Sequence, residues 1–329
     1  MEKILFIAPK FYSYHVLIKE TFEEKGFIVD YFDDRPDESF FTKALLRLNK
    51  SFLFYKRKKY FLKILQQAKQ KQYEIVFIIY GQSFTKKMME ELRLNLPNSK
   101  FIFYMFDPLF SMPDRLDFSM VFDKRFSFDI NDVKKHKEFQ LLPLFYKKDL
   151  FHNYLHKDTK QDIDVCYIGT MMPGKYSFVN GMLNELKKKY SNIFNYQFIQ
   201  SKLVALFFML TSKDFKHARL NEFKFDRIDN KDALEIMSRS KFIIDCPKKN
   251  QSGLTIRIFE ALILKKKIIT TNDSIKDYDF YDPRNIYIYD GKSIDFTNVF
   301  FTEEYYELPK EIIEKYEISN WVDRILGGE

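Results

Sequence analysis

Short apolar runs separated by polar, helix-like segments recur along the whole chain. Continuous apolar runs of this length are typical of strands buried on both faces. A helix ended by Gly26 separates the first two runs. Strands that alternate with helices indicate βαβ units and a parallel sheet. In the first half the runs that predict strands are Lys3–Ala8, Phe27–Phe32, Glu74–Tyr80, Lys100–Phe106, Phe118–Phe122 and Phe139–Leu142.

A second series with the same alternation begins at Ile163. Its predicted strands are Ile163–Ile168, Tyr196–Ile199, Phe242–Asp245, Lys267–Thr271 and Ile286–Tyr289, and its helices are Ser177–Tyr190, Lys231–Ser240 and Leu254–Leu264. We therefore expect a Rossmann-like domain over residues 1–145, a linker over 146–162 and a second Rossmann-like domain over 163–312. A C-terminal helix within 313–329 is expected to pack back on the first domain. The predicted fold class is α/β, with two parallel sheets facing across a cleft and ligands beyond the carboxyl ends of the strands.

Composition limits the class of protein. Of 329 residues, 46% are hydrophobic and 30% are charged, which is the balance of a soluble globular protein. The longest apolar run, Leu203–Leu210, has eight residues, whereas a bilayer-spanning helix needs about 20. The apolar stretch Ile4–Pro9 is too short for a signal peptide, so we expect a cytoplasmic protein. Cys166 and Cys246 both lie in strand patterns and are expected to be reduced core residues.

Positive charge is concentrated in one segment. The net charge is +8, yet no acidic residue occurs between Glu38 and Glu74. The remaining chain has 44 basic and 46 acidic residues, so the whole excess lies in this segment, which we call the basic segment, residues 43–71. Its ten basic residues are Lys43, Arg47, Lys50, Lys56, Arg57, Lys58, Lys59, Lys63, Lys69 and Lys71.

The basic segment has several interpretations. Aromatic residues lie between the cations, and a helix of this kind can bind an anionic membrane surface or line a groove for a phosphorylated partner. It can also be a solvated helix whose aromatic residues pack on the core. Nucleic-acid binding is a further alternative, although no helix-turn-helix, RRM or KH pattern is present and the second half would have no role.

Two places in the second half have features of an anion site. The strand Ile163–Ile168 is followed by Gly169-Thr170, and a helix is expected to begin between Lys175 and Ser177. Glycine permits close approach of the backbone, and free amides at a helix N-terminus favour a phosphate. An ordinary strand-to-helix turn has the same pattern.

The stretch Gln251-Ser-Gly-Leu-Thr-Ile-Arg-Ile-Phe-Glu-Ala-Leu262 is more specific. Arg257 and Glu260 are three residues apart and share one helix face. That face lies near the helix N-terminus, where the dipole favours phosphate. An arginine for a diphosphate and a glutamate for two ribose hydroxyls suit a nucleotide, although a surface ion pair has the same spacing.

Gly253-Leu-Thr-Ile-Arg-Ile-Phe-Glu-Ala-Leu262, followed by Lys266-Lys-Ile-Ile-Thr-Thr-Asn272, resembles the donor-site signature of bacterial GT-B glycosyltransferases of capsule and lipopolysaccharide synthesis. The resemblance implies a UDP- or GDP-linked sugar as co-substrate, no cofactor and no metal. It implies that Glu260 binds the ribose and Arg257 the diphosphate, with the base near Phe225–Ile228. The other implied donor-binding residues are Gly169, Thr170, Lys175, Lys248, Ser252, Gly253, Leu254 and Thr255.

Two departures from the family pattern affect these expectations. Many retaining members carry a glutamate eight positions before the ribose-binding one, where this chain has Ser252, so a retaining mechanism is not supported. The usual glycine after the helix is replaced by Lys265. The stereochemical outcome therefore stays open, and so does the structure of that turn.

An inverting enzyme needs a base for the acceptor hydroxyl. Three candidates are expected at carboxyl ends of strands in the first half: His15, Asp107 and Asp123. Each is equally well explained as a cap or a surface residue. The triplets Asp162-Ile-Asp164 and Asp277-Tyr-Asp279 match a two-aspartate metal pattern, but the first begins a strand, so we expect no metal site.

The sequence thus predicts a glycosyltransferase that moves a sugar from a nucleotide-sugar to a glycan or lipid-linked acceptor in bacterial surface polysaccharide synthesis. Peripheral attachment to the inner face of the plasma membrane is a further expectation. The alternatives are a nucleic-acid-binding protein that uses the basic segment and a catalytically idle GT-B scaffold.

Overall fold

A computed structural model describes residues 1–11, 13–35, 50–155 and 160–328, without the side chains of residues 50–53. Its strands are β1 (Lys3–Ala8), β2 (Ile28–Asp33), β3 (Ile75–Ile79), β4 (Lys100–Met105), β5 (Lys124–Ser127), β6 (Gln140–Leu141), β7 (Ile163–Thr170), β8 (Ile193–Phe198), β9 (Phe223–Lys224), β10 (Ser240–Asp245), β11 (Lys267–Thr270) and β12 (Ile286–Ile288). Its helices are α1 (Tyr14–Glu24), α2 (Lys50–Lys71), α3 (Lys86–Asn95), α4 (Asp114–Ser119), α5 (Ile130–Lys135), α6 (Tyr176–Leu186), α7 (Lys202–Thr211), α8 (Asn230–Ser238), α9 (Ile256–Ile263), α10 (Val299–Thr302), α11 (Lys310–Glu314) and α12 (Ile318–Leu326).

The chain forms two compact units. Unit 1 comprises Met1–Pro143 and Ile318–Glu329, and unit 2 comprises Leu144–Glu317. Residues 146–162, predicted as a linker, therefore fall within unit 2. Tyr146 and Phe151 explain this difference, because both are buried in the core of unit 2.

Unit 1 is built on a parallel sheet of six strands in the order β2-β1-β3-β4-β5-β6. Every residue of β3 is buried, as a strand covered on both faces requires. Helix α12 lies in this unit and buries Ile318, Trp321, Val322 and Ile325 at helical spacing. The indole of Trp321 packs edge-on against Tyr104 of β4, with ring centroids 5.1 Å apart.

Unit 2 has a second parallel sheet, in the order β12-β11-β10-β7-β8-β9. Val165 and Ile244 lie in the core on one face of this sheet, and Cys166 and Ile243 lie in the core on the other face. Cys246 is also buried, so the expectation of two core cysteines is confirmed. Because all six strands are parallel, their carboxyl ends lie at one edge.

One predicted strand is wrong. The apolar run Phe118–Phe122 overlaps the end of helix α4, and the strand that follows is β5, at Lys124–Ser127. Short apolar runs of this kind do not distinguish a strand from a buried helical turn. The remaining predicted strands coincide with β1–β4, β6–β8 and β10–β12 within a few residues.

The basic segment contributes the long helix α2, while Lys43 and Arg47 lie outside the described residues. Phe61, Ile64, Leu65 and Ala68 are buried at helical spacing. Phe61 is therefore a core residue, as in the interpretation of a helix whose aromatic residues pack on the core. Phe54 and Tyr55, two turns earlier on α2, are 55% and 72% exposed. Among the described residues, none of the helices is long and apolar enough to cross a bilayer.

Candidate functional site

The carboxyl edge of the unit 2 sheet has a buried carboxylate at its centre. Asp245 ends β10, is 5% exposed, and accepts a hydrogen bond from the Thr255 hydroxyl at 2.6 Å. The Thr270 hydroxyl at the end of β11 approaches its other oxygen at 3.3 Å. Asp245 thereby connects the ends of two strands to the residue that precedes helix α9.

A cation balances this carboxylate. Burial raises the pKa of Asp245, and the Thr255 hydrogen bond and the charge of Lys175 oppose the rise. Burial in turn lowers the pKa of Lys175, and the neighbouring Cys246 and Asp245 oppose this fall. Lys175 was a predicted donor-binding residue, whereas Asp245 was not. Its position at the carboxyl end of a buried strand is the signal that could have indicated it.

Arg257 and Glu260 on helix α9 form the predicted pair. Arg257 Nη1 lies 2.7 Å from Glu260 Oε2, and the two side chains are only 20% and 19% exposed. Burial raises the pKa of Glu260 and the guanidinium opposes this rise. Arg257 Nη1 also lies 2.7 Å from the sulfur of Met237, a buried residue of α8. The pair is therefore set into the unit and is not an ion pair on an open surface.

The N-terminus of α9 has no side-chain cap from its own capping residue. Thr255 occupies the capping position, but its side chain makes no capping hydrogen bond and bonds to Asp245 instead. The backbone amides at a helix N-terminus attract phosphate groups. Arg257 is in the first turn of this helix, so a cation stands beside the same amides.

The other predicted anion site is already filled. Asp214, in the short 3₁₀ helix Lys213–Phe215, accepts hydrogen bonds from the amides of Gly174, Tyr176 and Ser177 at 2.8, 3.0 and 2.9 Å. The Ser177 hydroxyl also donates to it. A carboxylate from the chain thus caps α6, and the expectation that the start of α6 holds a phosphate is corrected: its amides are already satisfied.

Gly169 is required by the side chain beneath it. A Cβ at this position would lie 2.6 Å from the hydroxyl of Tyr167, which is two residues earlier on the same face of β7. Tyr167 is 2% exposed, and its hydroxyl has no hydrogen-bond partner among the described residues. The glycine therefore makes room for Tyr167, which is a different reason from the close ligand approach inferred from sequence. Thr170 follows as the last residue of β7.

The predicted donor-binding residues in the turn between β10 and α9 differ in their exposure to solvent. Lys248 is exposed, whereas Ser252 and Gly253 are buried. The Ser252 carbonyl accepts a hydrogen bond from Asn272 at 3.0 Å, and the Gly253 carbonyl accepts one from Gln251 at 2.8 Å. Leu254 is 1% exposed and belongs to the core, so its side chain is not a ligand-binding group.

The predicted base-binding stretch Phe225–Ile228 follows β9 and so lies at the same edge of the sheet. Its backbone is fixed by Tyr196, whose hydroxyl donates to the carbonyl of Asp226 at 3.0 Å. The Arg227 guanidinium lies 5.8 Å from the ring centroid of Phe198. Flat surfaces of this kind suit a nucleobase.

In unit 1, Asp107 is at the carboxyl edge, after β4. It accepts a hydrogen bond from the Tyr80 hydroxyl at 2.6 Å. Tyr80 follows β3 in the left-handed conformation (φ 65°), as does Gly81 (φ 64°). A left-handed conformation at a non-glycine residue costs about 1–2 kcal/mol, so the surrounding structure holds Tyr80 in place.

His15 lies in the first turn of α1, with its ring 5.1 Å from that of Tyr31. The neighbouring ring of Tyr14 is 6.5 Å from Phe106, which precedes Asp107. The start of α1 and the end of β4 are therefore adjacent. His15 and Asp107 stand at one edge of unit 1, as the sequence predicts.

Asp34 at the same edge was missed by the sequence reasoning. It is fully buried, and its Oδ1 accepts the Ser83 amide at 3.1 Å, while Oδ2 has no hydrogen-bond partner among the described residues. Burial raises its pKa to about 6. Asp34 secures the loop that carries Tyr80 and Gly81.

Asp123 is not at this edge. It precedes β5, its amide bonds to the carbonyl of Phe101, and its carboxylate accepts the Phe101 amide at 2.8 Å and Arg93 at 3.1 Å. Phe101 is at the start of β4, so Asp123 lies at the amino edge of the sheet. The prediction of a catalytic Asp123 is wrong because the strand assumed to precede it is a helix end.

The aspartate triplets have other partners. Asp162 is bound by Arg239 at 2.7 Å and Asp164 by Lys241 at 3.3 Å. Asp279 accepts from Lys315 and from Tyr316, each at 2.5 Å. Within the described parts of the chain, no group of three or more histidine, cysteine, aspartate or glutamate residues could hold a metal ion.

Sequence comparison gives no relatives: no family model matches the chain, and no curated protein matches it. Solved structures do match along its whole length. The apo form of the lipopolysaccharide outer core galactosyltransferase WaaB is 13% identical, with 98% of this chain and 99% of that chain covered and a TM-score of 0.62. Anabaena HepE in complex with UDP and glucose is 10% identical, with 99% of this chain and 98% of that chain covered and a TM-score of 0.62.

A third match has a different activity in its name. The UDP-GlcNAc 2-epimerase of Methanocaldococcus jannaschii is 11% identical, with 98% and 99% of the two chains covered and a TM-score of 0.55. Likeness at these identities shows the fold, which is that of the GT-B glycosyltransferases, with two Rossmann-like units. The predicted α/β fold class with two Rossmann-like domains is confirmed. Because the epimerase shares the fold, the reaction has to be argued from the site.

Proposed function

We propose that the chain is a GT-B glycosyltransferase that takes a sugar from a UDP- or GDP-linked donor. The observation that carries this proposal is the largely buried ion pair between Arg257 and Glu260 near the start of α9. At the same helix start, the capping residue Thr255 donates a hydrogen bond from its hydroxyl to Asp245. Two of the structural neighbours support the class of donor, since HepE is described with UDP and glucose and the epimerase is named for UDP-GlcNAc.

The donor residues have distinct roles in this proposal. The amides at the start of α9 and the guanidinium of Arg257 bind the diphosphate, with Lys175 and Lys248 adding positive charge. Glu260 accepts hydrogen bonds from the two ribose hydroxyls. Burial raises the pKa of Glu260 because it disfavours the charged carboxylate. Two ribose hydroxyls that donate hydrogen bonds to this carboxylate would stabilise its charged form. The base lies against Phe225–Ile228.

Diphosphate charge is offset by these cations, so we propose that the enzyme needs neither a metal nor another cofactor. Treatment with EDTA should leave donor hydrolysis and sugar transfer unchanged. Loss of activity in EDTA and recovery with Mn²⁺ would contradict this part of the proposal.

For the acceptor we propose a glycan or a lipid-linked sugar of bacterial surface polysaccharide synthesis, handled by unit 1. His15 and Asp107 are the candidate bases, and Tyr80 positions Asp107. His15→Asn and Asp107→Asn each test one base, because both should retain UDP binding. The variant that lowers kcat about a hundredfold or more identifies the base.

We propose a cytoplasmic enzyme attached to the inner face of the plasma membrane through the exposed cations of α2. Lys56, Lys58 and Lys59 are exposed, and each cation near an anionic surface contributes about 1 kcal/mol. Replacing Lys56, Arg57, Lys58 and Lys59 by Gln should weaken sedimentation with anionic vesicles. Unchanged binding would leave α2 as a solvated or acceptor-facing helix.

A thermal-shift screen with nucleoside diphosphates tests the proposal as a whole. A ligand at a hundredfold excess over its Kd stabilises the folded state by about 2.7 kcal/mol. Stabilisation by UDP or GDP, with sugar release from the matching donor, supports an active transferase. Binding without turnover indicates the idle scaffold, and salt-sensitive binding of nucleic acid without a nucleotide effect indicates the nucleic-acid alternative.

A further inference from the structure

Helix α7 in unit 2 is apolar on all sides although one side faces solvent. Its sequence is Lys-Leu-Val-Ala-Leu-Phe-Phe-Met-Leu-Thr, residues 202–211. Leu203, Leu206, Phe207 and Leu210 are 78%, 40%, 61% and 86% exposed. A helix that is apolar all round is normally buried, so this outer face is unusual.

The outer face cannot turn inward, because the inner face is already packed. Ala205 is buried, and Val204, Phe208 and Met209 pack against the core of unit 2. The ring of Phe208 lies 5.4 Å from that of Phe215. The four outer residues are spaced i, i+3, i+4 and i+7, so they form one continuous stripe about 10 Å long.

The exposed charged residues next to the stripe in sequence are cations. Lys202 at the start of α7 and Lys213, Lys216 and Arg219 beyond its end are all exposed. The neighbouring acidic groups are engaged elsewhere in the unit: Asp214 caps α6, and Glu222 accepts the Tyr176 hydroxyl at 2.5 Å. The 3₁₀ helices that hold these acids contact α7, so cations lie at both ends of the stripe.

We propose that the outer face of α7 is a lipid-docking surface, which lies in the interface of an anionic membrane with its apolar stripe in the acyl boundary. An apolar face with flanking cations suits that interface. A second copy of the chain fits less well, because a two-fold contact through this face would bring Lys202 and Lys213 toward equivalent cations. The surface is on unit 2 and binds mainly by apolar insertion, so it is separate from the cations of α2 and does not depend on the proposed reaction.

A tryptophan in the stripe reports insertion directly. The chain has one native tryptophan, Trp321, which is 2% exposed in unit 1. In Phe207→Trp, vesicles of phosphatidylglycerol and phosphatidylcholine should shift the new emission to the blue, and brominated acyl chains should quench it. Emission that is unchanged by these vesicles would overturn the proposal.

A second variant measures what the stripe contributes. Leu203→Gln combined with Leu210→Gln should lower the partition coefficient on anionic vesicles about tenfold or more. Leu94→Gln is the matched control, because Leu94 is 82% exposed on α3 of unit 1 and should not affect binding. Equal binding by both variants overturns the proposal. So does a lipid-independent dimer that the double variant dissociates, since the stripe would then be covered by a second copy.

Discussion

The carboxylate of Asp214 accepts a hydrogen bond from the Ser177 amide at 2.9 Å, across 37 residues of sequence. The two amides of Gly174 and Tyr176 bond to the same side chain. An internal anion therefore occupies the start of α6, where a phosphate was expected. Of the two helix starts that the sequence predicted as anion sites, only that of α9 remains as the proposed diphosphate site.

Asp214→Ala should lower the free energy of unfolding by about 1–2 kcal/mol, because α6 loses its cap. UDP affinity should not change, since the proposed diphosphate site is at α9. Chemical denaturation and calorimetry measure the two effects. Asp229→Ala is the control, because the Asp229 side chain accepts a hydrogen bond from only one amide of the described residues, that of Lys231 at 2.8 Å. This variant should lower the free energy of unfolding by less. Tighter UDP binding by Asp214→Ala would mean that Asp214 competes with phosphate for α6.

Asp34 gives a pH dependence of known sign. The folded protein holds the proton of Asp34 up to about pH 6 because burial raises its pKa to about 6, whereas an unfolded aspartate loses its proton near pH 4. The folded state thus binds more protons between these values, and its stability falls as pH rises through them. Relative to Asp34→Asn, the wild-type free energy of unfolding should fall by about 1–3 kcal/mol from pH 4 to pH 6.

Asp123 is a suitable contrast for this measurement. Burial acts to raise its pKa, but hydrogen bonds from Arg93 and from the Phe101 amide hold the pKa below its ordinary value. Its stabilising contribution is lost only as pH falls below about 4. In urea unfolding, the difference in free energy of unfolding between the wild type and Asp123→Asn should therefore show no fall between pH 4 and 6. A flat difference curve for Asp34→Asn would show that Asp34 is not a buried, protonated group.

Lys265 occupies the glycine position of the family pattern and still has a left-handed backbone, with φ 52°. A lysine there is strained, and its ion pair with Glu307 is exposed on both sides. Lys265→Gly should raise the free energy of unfolding by up to about 1 kcal/mol. Lys265→Ala, which removes the same charge, should give no gain in thermal unfolding.

The matched control for this substitution is Lys187, at the end of α6 with φ −60°. Lys187→Gly should destabilise by up to about 1 kcal/mol, since glycine there only adds freedom to the unfolded chain. If both glycine variants lose stability, the turn at Lys265 is not strained.

Local sequence was sufficient for most of the fold. Strands such as β1 and β3 are continuous apolar runs, which their burial on both faces requires. The segment Phe118–Phe122 was wrongly predicted as a strand, because an apolar run of this composition also fits the end of helix α4. The helix α7 was noticed only as an apolar run, since its composition does not tell which residues face solvent.

The site was predicted less completely, and the reason is distance along the chain. The Arg257–Glu260 pair is a local helical spacing and is present as predicted. Asp214 caps a helix 37 residues earlier, and Thr255 turns to Asp245, ten residues before it. No periodicity in the sequence indicates contacts between residues so far apart. The capping of α6 by Asp214 and the contacts of Asp245 could therefore be found only from the structure.

The central claim is that unit 2 binds a nucleoside diphosphate at α9 through Arg257 and Glu260, and calorimetric titration with UDP and GDP tests it most directly. Arg257→Gln and Glu260→Gln should each lower affinity about tenfold or more, because a hydrogen bond to a charged group contributes about 1.5–3 kcal/mol. Arg239→Gln removes an arginine–carboxylate contact at the opposite edge, with Asp162, and should bind as the wild type does. Wild-type affinity in both folded α9 variants would contradict the account.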